Sequence, residues 1–321
     1  MTSRHTSIVD HRFYPPRNFA ALDDQYTDYD RSRVVVLPVP YDSTTTARAG
    51  SREGPQAIID ASADMELYDL VLEREPYEVG IHTLPEVAPH SDSPELMIGR
   101  IASIAGELVD AGKFVVTLGG EHTVAAGAVR AYAERVPNLS VLAFDAHADM
   151  RDEYLDSRFN HACTLRRSLD AVRAGVRERS SAPDPTLVHV GLRSATREEH
   201  GFLREQRIPF YPAHVYTRMG DGPERVAEHL SENVYITIDI DCFDPAQVAG
   251  VGTPEPGGLF WEHVVATLTE VARTRHIVGF DVTELAPDYG VRANAQLAAK
   301  LVYRTIGLAL GESAVGRPPG E

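Results

Sequence analysis

The stretch VLAFDAHAD, residues 141–149, places three potential metal ligands at alternating positions. It begins as an apolar run that suits a strand buried on both faces, and it ends with Asp145, His147 and Asp149. Alternate side chains of an extended chain share one face, and the intervening alanines leave room for the backbone to curl around an ion. The stretch predicts a metal site at a strand end, and the alternative is a solvated polar loop.

The segment VYITIDI, residues 234–240, repeats this pattern. Its β-branched residues predict another buried strand, and carboxylates follow at Asp239, Asp241 and Asp244. Carboxylates packed this closely repel one another. A cation between them is the simplest explanation, and the alternative is a solvated acidic turn.

Two further predicted strands also run into ionisable side chains. FVVTLGG at 114–120 precedes His122, and IVGFDV at 277–282 precedes Glu284. The glycine pair before His122 allows a tight turn and a close backbone approach. It does not form a phosphate loop, because the Gly-Lys-Ser/Thr sequence is absent. A lone histidine is more often structural, so the function of His122 depends on its neighbours in space.

The strand ends together offer more ligands than one ion uses. The candidate metal ligands are His122, Asp145, His147, Asp149, Asp239 and Asp241. Four aspartates and two histidines suit two divalent cations about 3.5–4 Å apart, and this mixture favours Mn²⁺, with Ni²⁺, Zn²⁺ and other divalent metals as alternatives. A structural zinc site would use cysteines. Two cations that share a water lower its pKa from about 15.7 towards about 7, which is a hydrolase arrangement.

The composition excludes several classes of protein. The 321 residues carry a formal net charge of −16, which disfavours nucleic acid and anionic membranes and suits a cationic substrate. No apolar run reaches the roughly 18 residues of a transmembrane helix, and the first residues lack the apolar core of a signal peptide. Two cysteines, Cys163 and Cys242, make no disulfide framework. We therefore expect a cytoplasmic protein.

Strand and helix patterns alternate along the chain, which predicts one α/β domain with a parallel sheet and helices on both faces. Eight segments have strand composition: 33–39, 78–82, 114–120, 141–144, 187–192, 208–211, 234–240 and 277–282. Helices are expected after Pro55, between Ser93 and Gly112, after Thr123, from Thr164, and over 223–230, 259–273 and 291–310. We expect an N-terminal arm at 1–30, the α/β domain at 31–312 and a C-terminal tail at 313–321.

Five motifs taken together resemble the ureohydrolase family, which includes arginase, agmatinase and their relatives. They are GGEHT (119–123), DAHAD (145–149), DIDCFDP (239–245), GTPEPGG (252–258) and DVTELAP (281–287). The resemblance runs in order from about residue 34 to residue 310. It implies a three-layer αβα sandwich with a mostly parallel central sheet of about eight strands. It also implies two manganese ions, a trimeric or hexameric homo-oligomer, and hydrolysis of a guanidino group to urea and an amine.

The resemblance also implies how the ligands divide between the ions. By motif position, one ion takes His122, Asp145, Asp149 and Asp239, and the other takes His147, Asp145, Asp239 and Asp241. Asp145 and Asp239 would then bridge the two ions. Asp244 matches a family position without being implied as a ligand, and with Pro245 it is expected to fix the turn.

Two residues are implied in catalysis. Glu284 matches the acid that would bind the planar guanidinium through paired hydrogen bonds. His161 matches the histidine beyond the DAHAD loop, which would pass a proton to the leaving amine. Many relatives have glycine after that histidine, whereas this chain has Ala162.

The predicted substrate is agmatine, which would yield putrescine and urea in polyamine biosynthesis. Glu255 in GTPEPGG resembles agmatinases, and MRDEY at 150–154 lacks the Asn/Thr/Ser-rich stretch of arginases. Asp152, Glu153 and Glu255 could receive a distal ammonium. Arg151, however, could favour a carboxylate tail or pair with Asp152. The alternatives are aminopropylagmatine, guanidinobutyrate, guanidine and arginine.

Two other classes of protein are alternatives. A single-zinc deacetylase-like amidohydrolase has a related architecture, but it would not need His122 together with both Asp145 and Asp149, and it would bind about one metal ion. A catalytically silent regulator would have lost ligands, and none is missing from this sequence.

Overall fold

The computed structural model describes residues 16–177 and 187–311, with no side chain described at 176 and 177. The expected C-terminal tail and the first half of the expected arm lie outside these residues. The second half of the arm forms two short helical segments, Phe19–Ala21 and Asp24–Thr27 (α1), and Phe19 is fully buried. This part of the arm therefore packs on the domain.

The described strands form one sheet. They are β1 (Val34–Val39), β2 (Ile81–Thr83), β3 (Phe114–Gly119), β4 (Leu139–Phe144), β5 (Leu187–Leu192), β6 (Phe210–Pro212), β7 (Asn233–Asp239) and β8 (His276–Thr283). Their order is β2-β1-β3-β8-β7-β4-β5-β6, and every pairing between them is parallel. The predicted fold class is confirmed.

The four central strands, β3, β8, β7 and β4, end in register. Leu118 pairs with Val282, Val282 with Ile238, and Ile238 with Phe144, so these residues form one row across the sheet. All four side chains are buried, as in a parallel sheet covered on both faces. The residues that follow this row therefore emerge side by side at one edge of the sheet.

Helices cover both faces. They are α2 (Gly54–Ser62), α3 (Pro94–Asp110), α4 (Thr123–Ala133), α5 (Thr164–Arg177), α6 (Arg197–Glu205), α7 (Ala213–Tyr216), α8 (Gly222–Glu228), α9 (Trp261–Thr274) and α10 (Arg292–Ala309). The alternation of β1 shows the two layers: Val34 and Val36 belong to the apolar cluster of α2, α8, α9 and α10, whereas Val35 and Leu37 join that of α3, α4 and α5. None of the described helices is long and apolar enough to cross a membrane.

Two local differences from the sequence prediction have simple causes. The second strand begins at Ile81 rather than at Glu78, because Pro76–Val79 forms a 3₁₀ turn and proline favours the first turn of a helix. The helix α6 was not predicted, because it is strongly polar and buries only Glu199 and Leu203.

Candidate metal centre

The first group of predicted ligands surrounds His122, which directly precedes α4. Its Nδ1 atom lies 3.2 Å from Asp145 Oδ2, 3.0 Å from Asp149 Oδ2 and 3.6 Å from Asp239 Oδ2. Burial lowers the pKa of His122, but the neighbouring Asp145 and Asp149 carboxylates outweigh this effect and hold the pKa well above its ordinary value. Residues from three separate strand ends thus meet at one imidazole nitrogen.

The other side of the His122 ring is fixed by a buried polar chain. Its Nε2 atom lies 3.0 Å from Thr237 Oγ1, and the Thr237 hydroxyl donates to Asp281 Oδ1 at 2.8 Å. The Tyr235 hydroxyl donates to the other oxygen of Asp281 at 2.9 Å. Because the Thr237 proton goes to Asp281, Thr237 accepts from Nε2–H. Nδ1 is therefore the nitrogen that is left to bind a cation.

The second group surrounds His147. Its Nδ1 atom lies 2.9 Å from Asp241 Oδ2 and 3.7 Å from Asp145 Oδ1. Burial lowers the pKa of His147, but the charge of Asp241 and the hydrogen bonds that the Asp145 and Asp241 carboxylates accept raise the pKa to about 12. Asp145 is thus shared: one of its oxygens faces His122 and the other faces His147.

The charge balance of these groups fits a bound cation. Asp145 Oδ2 is buried and accepts no hydrogen bond. Burial, followed by the charge of Asp145, raises the pKa of Asp149 to about 6, and burial with the charge of Asp241 raises the pKa of Asp239 well above its ordinary value. No lysine or arginine in the described ranges forms an ion pair with these three carboxylates. Carboxylate oxygen and imidazole nitrogen are donors that suit a divalent metal.

Two triads have the dimensions of metal sites: His122, Asp145 and Asp239, and Asp145, His147 and Asp241. Within each, one ligand atom per residue lies within 4.8 Å of the others. Asp149 adds a further oxygen on the His122 side. All six residues predicted as ligands are thus brought together, and their assignment to particular ions stays a prediction.

The backbone at the centre adopts conformations that non-glycine residues rarely use. Asp149 has φ of 46° and Glu284 has φ of 66°. Glu284 is held by two hydrogen bonds of 2.7 Å: its amide donates to the Gly120 carbonyl, and its Oε1 accepts from the His122 amide. Strained residues of this kind persist where surrounding bonds fix them, and they concentrate at functional sites.

Gly120, whose carbonyl accepts from the Glu284 amide, has no room for a side chain. A Cβ at Gly120 would lie 2.1 Å from the Tyr41 carbonyl oxygen. The close backbone approach that the glycine pair predicted is confirmed, and it brings the loop after β1 against the strand end that carries His122.

The two predicted catalytic residues lie next to each other. His161 begins a 3₁₀ turn, His161–Cys163, that leads into α5, and its Nδ1 atom is 3.6 Å from Glu284 Oε1. Burial lowers the pKa of His161, but Glu284 outweighs this effect and raises the pKa to about 9. Among the described residues, none donates to Glu284 Oε2, so this oxygen is left for a ligand.

A cavity of about 270 Å³ opens above the centre. Its wall includes the predicted ligands His147, Asp149 and Asp239, the predicted proton carrier His161, and two charged residues, Arg151 and Glu199. The candidate metal centre is therefore accessible to a small molecule.

The three residues predicted to bind the substrate tail are placed differently. In the described structure none of them lines the cavity. The Asp152 carboxylate accepts from Arg158 at 3.0 Å and from Arg167 at 2.6 Å, and Glu153 is exposed. Glu255 follows the cavity residue Thr253 by two positions. Recognition of a substrate tail by these residues stays a prediction.

Arg151 does not pair with Asp152, which was one of its two possible partners, and the other, a carboxylate tail of the substrate, stays a prediction. Its Nε lies 3.9 Å from Glu199 Oε2, and its guanidinium stacks 4.2 Å from the centre of the Tyr154 ring. Asp152 is occupied by other arginines. Arg151 is thus held on the cavity wall as a positive charge that Glu199 partly balances.

Sequence reasoning missed two residues that build the surroundings of the site. Glu199 accepts from the Met150 and Thr196 amides, and the spacing Thr196-x-x-Glu199 is a helix-capping signal that could have found it. Arg193 has no such signal. It donates to five backbone carbonyls, namely those of Gly191, Asp241, Cys242, Phe243 and Glu255.

Two further side chains, Asp244 and His189, support the backbone around the site. Asp244 accepts from the amides of Ala246, Gly257 and Gly258, so it fixes the turn as expected. His189 is buried, and its Nε2 lies 3.1 Å from the Asp145 carbonyl oxygen. The prediction for Asp244 is confirmed.

Comparison with known proteins identifies the class of fold and site. The model of the arginase family matches residues 32–307. The chain belongs to the arginase family, and the resemblance to ureohydrolases drawn from five motifs is confirmed.

Individual relatives agree with this membership. The chain is 36% identical to the N(1)-aminopropylagmatine ureohydrolase of Synechocystis sp., with 92% of this chain and 96% of that protein covered. It is 30% identical to the agmatinase of Bacillus anthracis, with 87% and 92% covered. The solved structure of the agmatine ureohydrolase of Thermoplasma volcanium matches with a TM-score of 0.79 at 29% identity, over 93% of this chain and 96% of that chain.

Proposed function

We propose that this chain hydrolyses the guanidino group of a small cationic amine to urea and a free amine, with two divalent metal ions, Mn²⁺ first among them. The observation that carries the proposal is the sharing of Asp145, whose two oxygens face the histidines of two separate triads. A single-zinc amidohydrolase would need only one such triad.

The residues present fit two ions. His122, Asp145, Asp149 and Asp239 would hold one, and His147, Asp145, Asp239 and Asp241 would hold the other. Two adjacent divalent ions supply a water whose pKa is lowered towards about 7, which is a nucleophile at neutral pH.

The protein itself would orient the substrate and move its protons. Glu284 Oε2 is free to accept one N–H of a guanidinium, and Oε1 has a second lone pair besides the one used by the His122 amide. His161, which lies beside Glu284, would give a proton to the leaving nitrogen. Its raised pKa keeps it protonated near neutral pH, as a general acid requires.

For the substrate, we propose N(1)-aminopropylagmatine first and agmatine second. The relative with 36% identity is named for the former and the relative with 30% identity for the latter. Both compounds carry a guanidinium at one end and cationic nitrogen further along, which suits a chain with net charge −16. Agmatine was the prediction from sequence, and its product would be putrescine.

Arg151 favours a second class of substrate, one with a carboxylate tail. Its positive charge lies on the cavity wall, so a substrate with a carboxylate tail, such as guanidinobutyrate or arginine, would meet an attractive partner there. These compounds therefore belong in the same test.

The deciding experiment is urea release from a panel of guanidino compounds. The purified chain is loaded separately with Mn²⁺, Ni²⁺ and Zn²⁺, and bound metal is counted by mass spectrometry of the digested protein. About two ions per chain and preferential cleavage of N(1)-aminopropylagmatine or agmatine support the proposal. No urea from any compound, or activity with one bound zinc, would contradict it.

We further propose a cytoplasmic homo-oligomer. Both cysteines are free and buried, which suits a reducing compartment. Light scattering of the purified chain tests the trimer or hexamer that the family resemblance implies.

A further inference from the structure

The loop that follows β1 contacts His161 at two points. The Thr44 hydroxyl accepts a hydrogen bond of 2.9 Å from the His161 amide, and Thr46 Oγ1 lies 3.0 Å from His161 Nε2. The first contact fixes the main chain of the histidine and the second fixes its ring.

Thr44 is itself anchored by a buried carboxylate that no catalytic step uses. The Glu121 side chain is 0% exposed. Its Oε2 accepts from the Thr44 amide at 2.7 Å, and its Oε1 accepts from the Thr44 hydroxyl at 2.7 Å. Since the single hydroxyl proton of Thr44 goes to Glu121, the Thr44 oxygen presents its lone pairs to the His161 amide.

A third contact ties the same loop to the turn that begins at His161. The Thr44 carbonyl accepts from Asn160 Nδ2 at 3.2 Å, and Asn160 Oδ1 in turn accepts from the Ala162 amide at 3.0 Å. Residues that are more than 110 positions apart in the chain, Thr44 and His161, are therefore joined through both main-chain and side-chain bonds.

We propose that Glu121 and Thr44 are positioning residues that fix His161 for proton transfer beside Glu284. The proposal rests on the proposed function, because it assumes that His161 moves a proton. A general acid must lie within hydrogen-bond reach of the atom it protonates, and a displacement of about 1 Å can cost about 10²-fold in rate. Glu121 acts on His161 only through Thr44.

The test replaces the Thr44 hydroxyl. Thr44→Val removes the hydroxyl at nearly constant volume, and Thr44→Ser keeps it. Thr45→Val is the matched control, since the Thr45 hydroxyl donates to the Asp42 carbonyl within its own loop at 3.2 Å. For Thr44→Val we expect kcat to fall about 10-fold or more with KM changed less than about 3-fold. Thr44→Ser should restore most of the turnover, and Thr45→Val should match the wild type.

A double-mutant cycle with His161→Phe distinguishes an effect of Thr44 on the position of His161 from a general effect on the fold. If Thr44 acts through the His161 ring, Thr44→Val should cost nothing further once that ring is replaced. Glu121→Gln, which replaces one acceptor oxygen with a donor, should lower kcat at unchanged metal content. This loss should also disappear once the His161 ring is replaced. Equal losses from Thr44→Val in both backgrounds, or a Thr44→Val enzyme that behaves as Thr45→Val does, would overturn the proposal.

Hydrogen exchange at the His161 amide tests the contact with Thr44 without an activity assay. Should the wild type release no urea from the panel, hydrogen–deuterium exchange at the His161 amide still reports whether Thr44 holds it. Thr44→Val should speed this exchange about 10-fold or more, whereas Thr44→Ser and Thr45→Val should not. Unchanged exchange in Thr44→Val would reject the positioning role independently of any activity.

Discussion

The Oδ2 atom of Asp145 lies 3.2 Å from His122 Nδ1 and accepts no hydrogen bond, although it is buried. A buried carboxylate oxygen without a donor is costly. The cost is relieved if a cation binds between the two residues, and the same cation would separate Asp145 from the neighbouring carboxylates. The other Asp145 oxygen faces His147, which makes this side chain the common element of both triads.

Asp145→Asn should therefore remove metal and activity together. The amide places a donor where an ion needs an acceptor, so we expect bound metal to fall from about two ions to fewer than one per chain and urea release to fall at least about 10²-fold. Asp239→Asn should behave alike, with the fold intact by circular dichroism. Asp110→Asn, at an exposed carboxylate on α3, is the control and should keep both ions. Wild-type metal content in the purified Asp145 variant would reject the shared-ligand assignment.

His161→Phe separates metal binding from proton transfer. The ring contacts Glu284 and Thr46 and none of the six predicted ligands by hydrogen bond, so both ions should stay bound. Turnover should fall about 10²-fold or more, the usual contribution of a positioned general acid. Bound metal and kcat are measured side by side, with His214→Phe on the exposed face of α7 as the control. Unchanged turnover in the His161 variant would remove this residue from the mechanism.

Much of the site could be predicted because its ligands follow apolar strands directly. His122, Asp145, Asp239 and Glu284 each come within three residues of a buried strand, and a parallel sheet brings such ends to one edge. The positions of these residues could be predicted from the local sequence pattern alone, without knowing the order of the strands in the sheet.

The surroundings of the site could not be predicted in the same way. Within the described residues, Arg193 donates only to backbone carbonyls, which every residue has, so no residue type in the sequence marks its partners. Thr44 and Glu121 interact through a loop whose path depends on Gly120 meeting Tyr41. The charged segment after Asp149 shows the same limit: Asp152 was considered for the substrate, but Arg158 and Arg167 compete for it.

Glu255→Ala tests how the substrate tail is recognised. The Arg193 side chain fixes the Glu255 carbonyl, which holds the loop near Thr253 on the cavity wall. If the carboxylate receives a distal ammonium, KM for agmatine should rise about 10-fold, a loss of about 1.4 kcal/mol, with KM for arginine changed far less. Steady-state kinetics on both compounds give the ratio. An equal change for both compounds would mean that Glu255 does not distinguish the tails.

Gly120→Ala should damage both the fold and the site. The added methyl group would lie 2.1 Å from the Tyr41 carbonyl oxygen, a backbone atom that cannot move aside. We expect a loss of at least about 2–3 kcal/mol in the free energy of unfolding, with weakened metal binding because His122 follows directly. Gly99→Ala, in α3 with nothing within 4 Å of the new Cβ, is the paired control and should gain up to about 1 kcal/mol. Chemical denaturation of both variants measures the difference, and similar stabilities would contradict the steric argument.

The buried ion pair between Asp69 and Arg304 gives a pH-dependent prediction. Burial raises the pKa of Asp69, but hydrogen bonds from Arg304 and from the Leu72 and Val71 amides outweigh it, so the pKa lies below its ordinary value of 3.8. A carboxyl group whose pKa is lower in the folded state stabilises the fold above its unfolded pKa. This stabilisation is lost as the pH falls through the lower folded value.

Asp69→Asn should accordingly lower the free energy of unfolding by about 3–5 kcal/mol near pH 7, because it leaves the buried Arg304 guanidinium without its counter-charge. Arg304 pairs with no other carboxylate in the described structure. The difference from the wild type should begin to shrink below about pH 4, where the Asp69 carboxyl group of the unfolded chain takes up its proton, and should shrink further towards the lower folded pKa. Urea denaturation of the metal-free protein between pH 7 and pH 3 measures both curves. Since Asp69 and Arg304 connect the loop after α2 to α10, a difference that stays constant over this range would show that packing, rather than charge, joins these two segments.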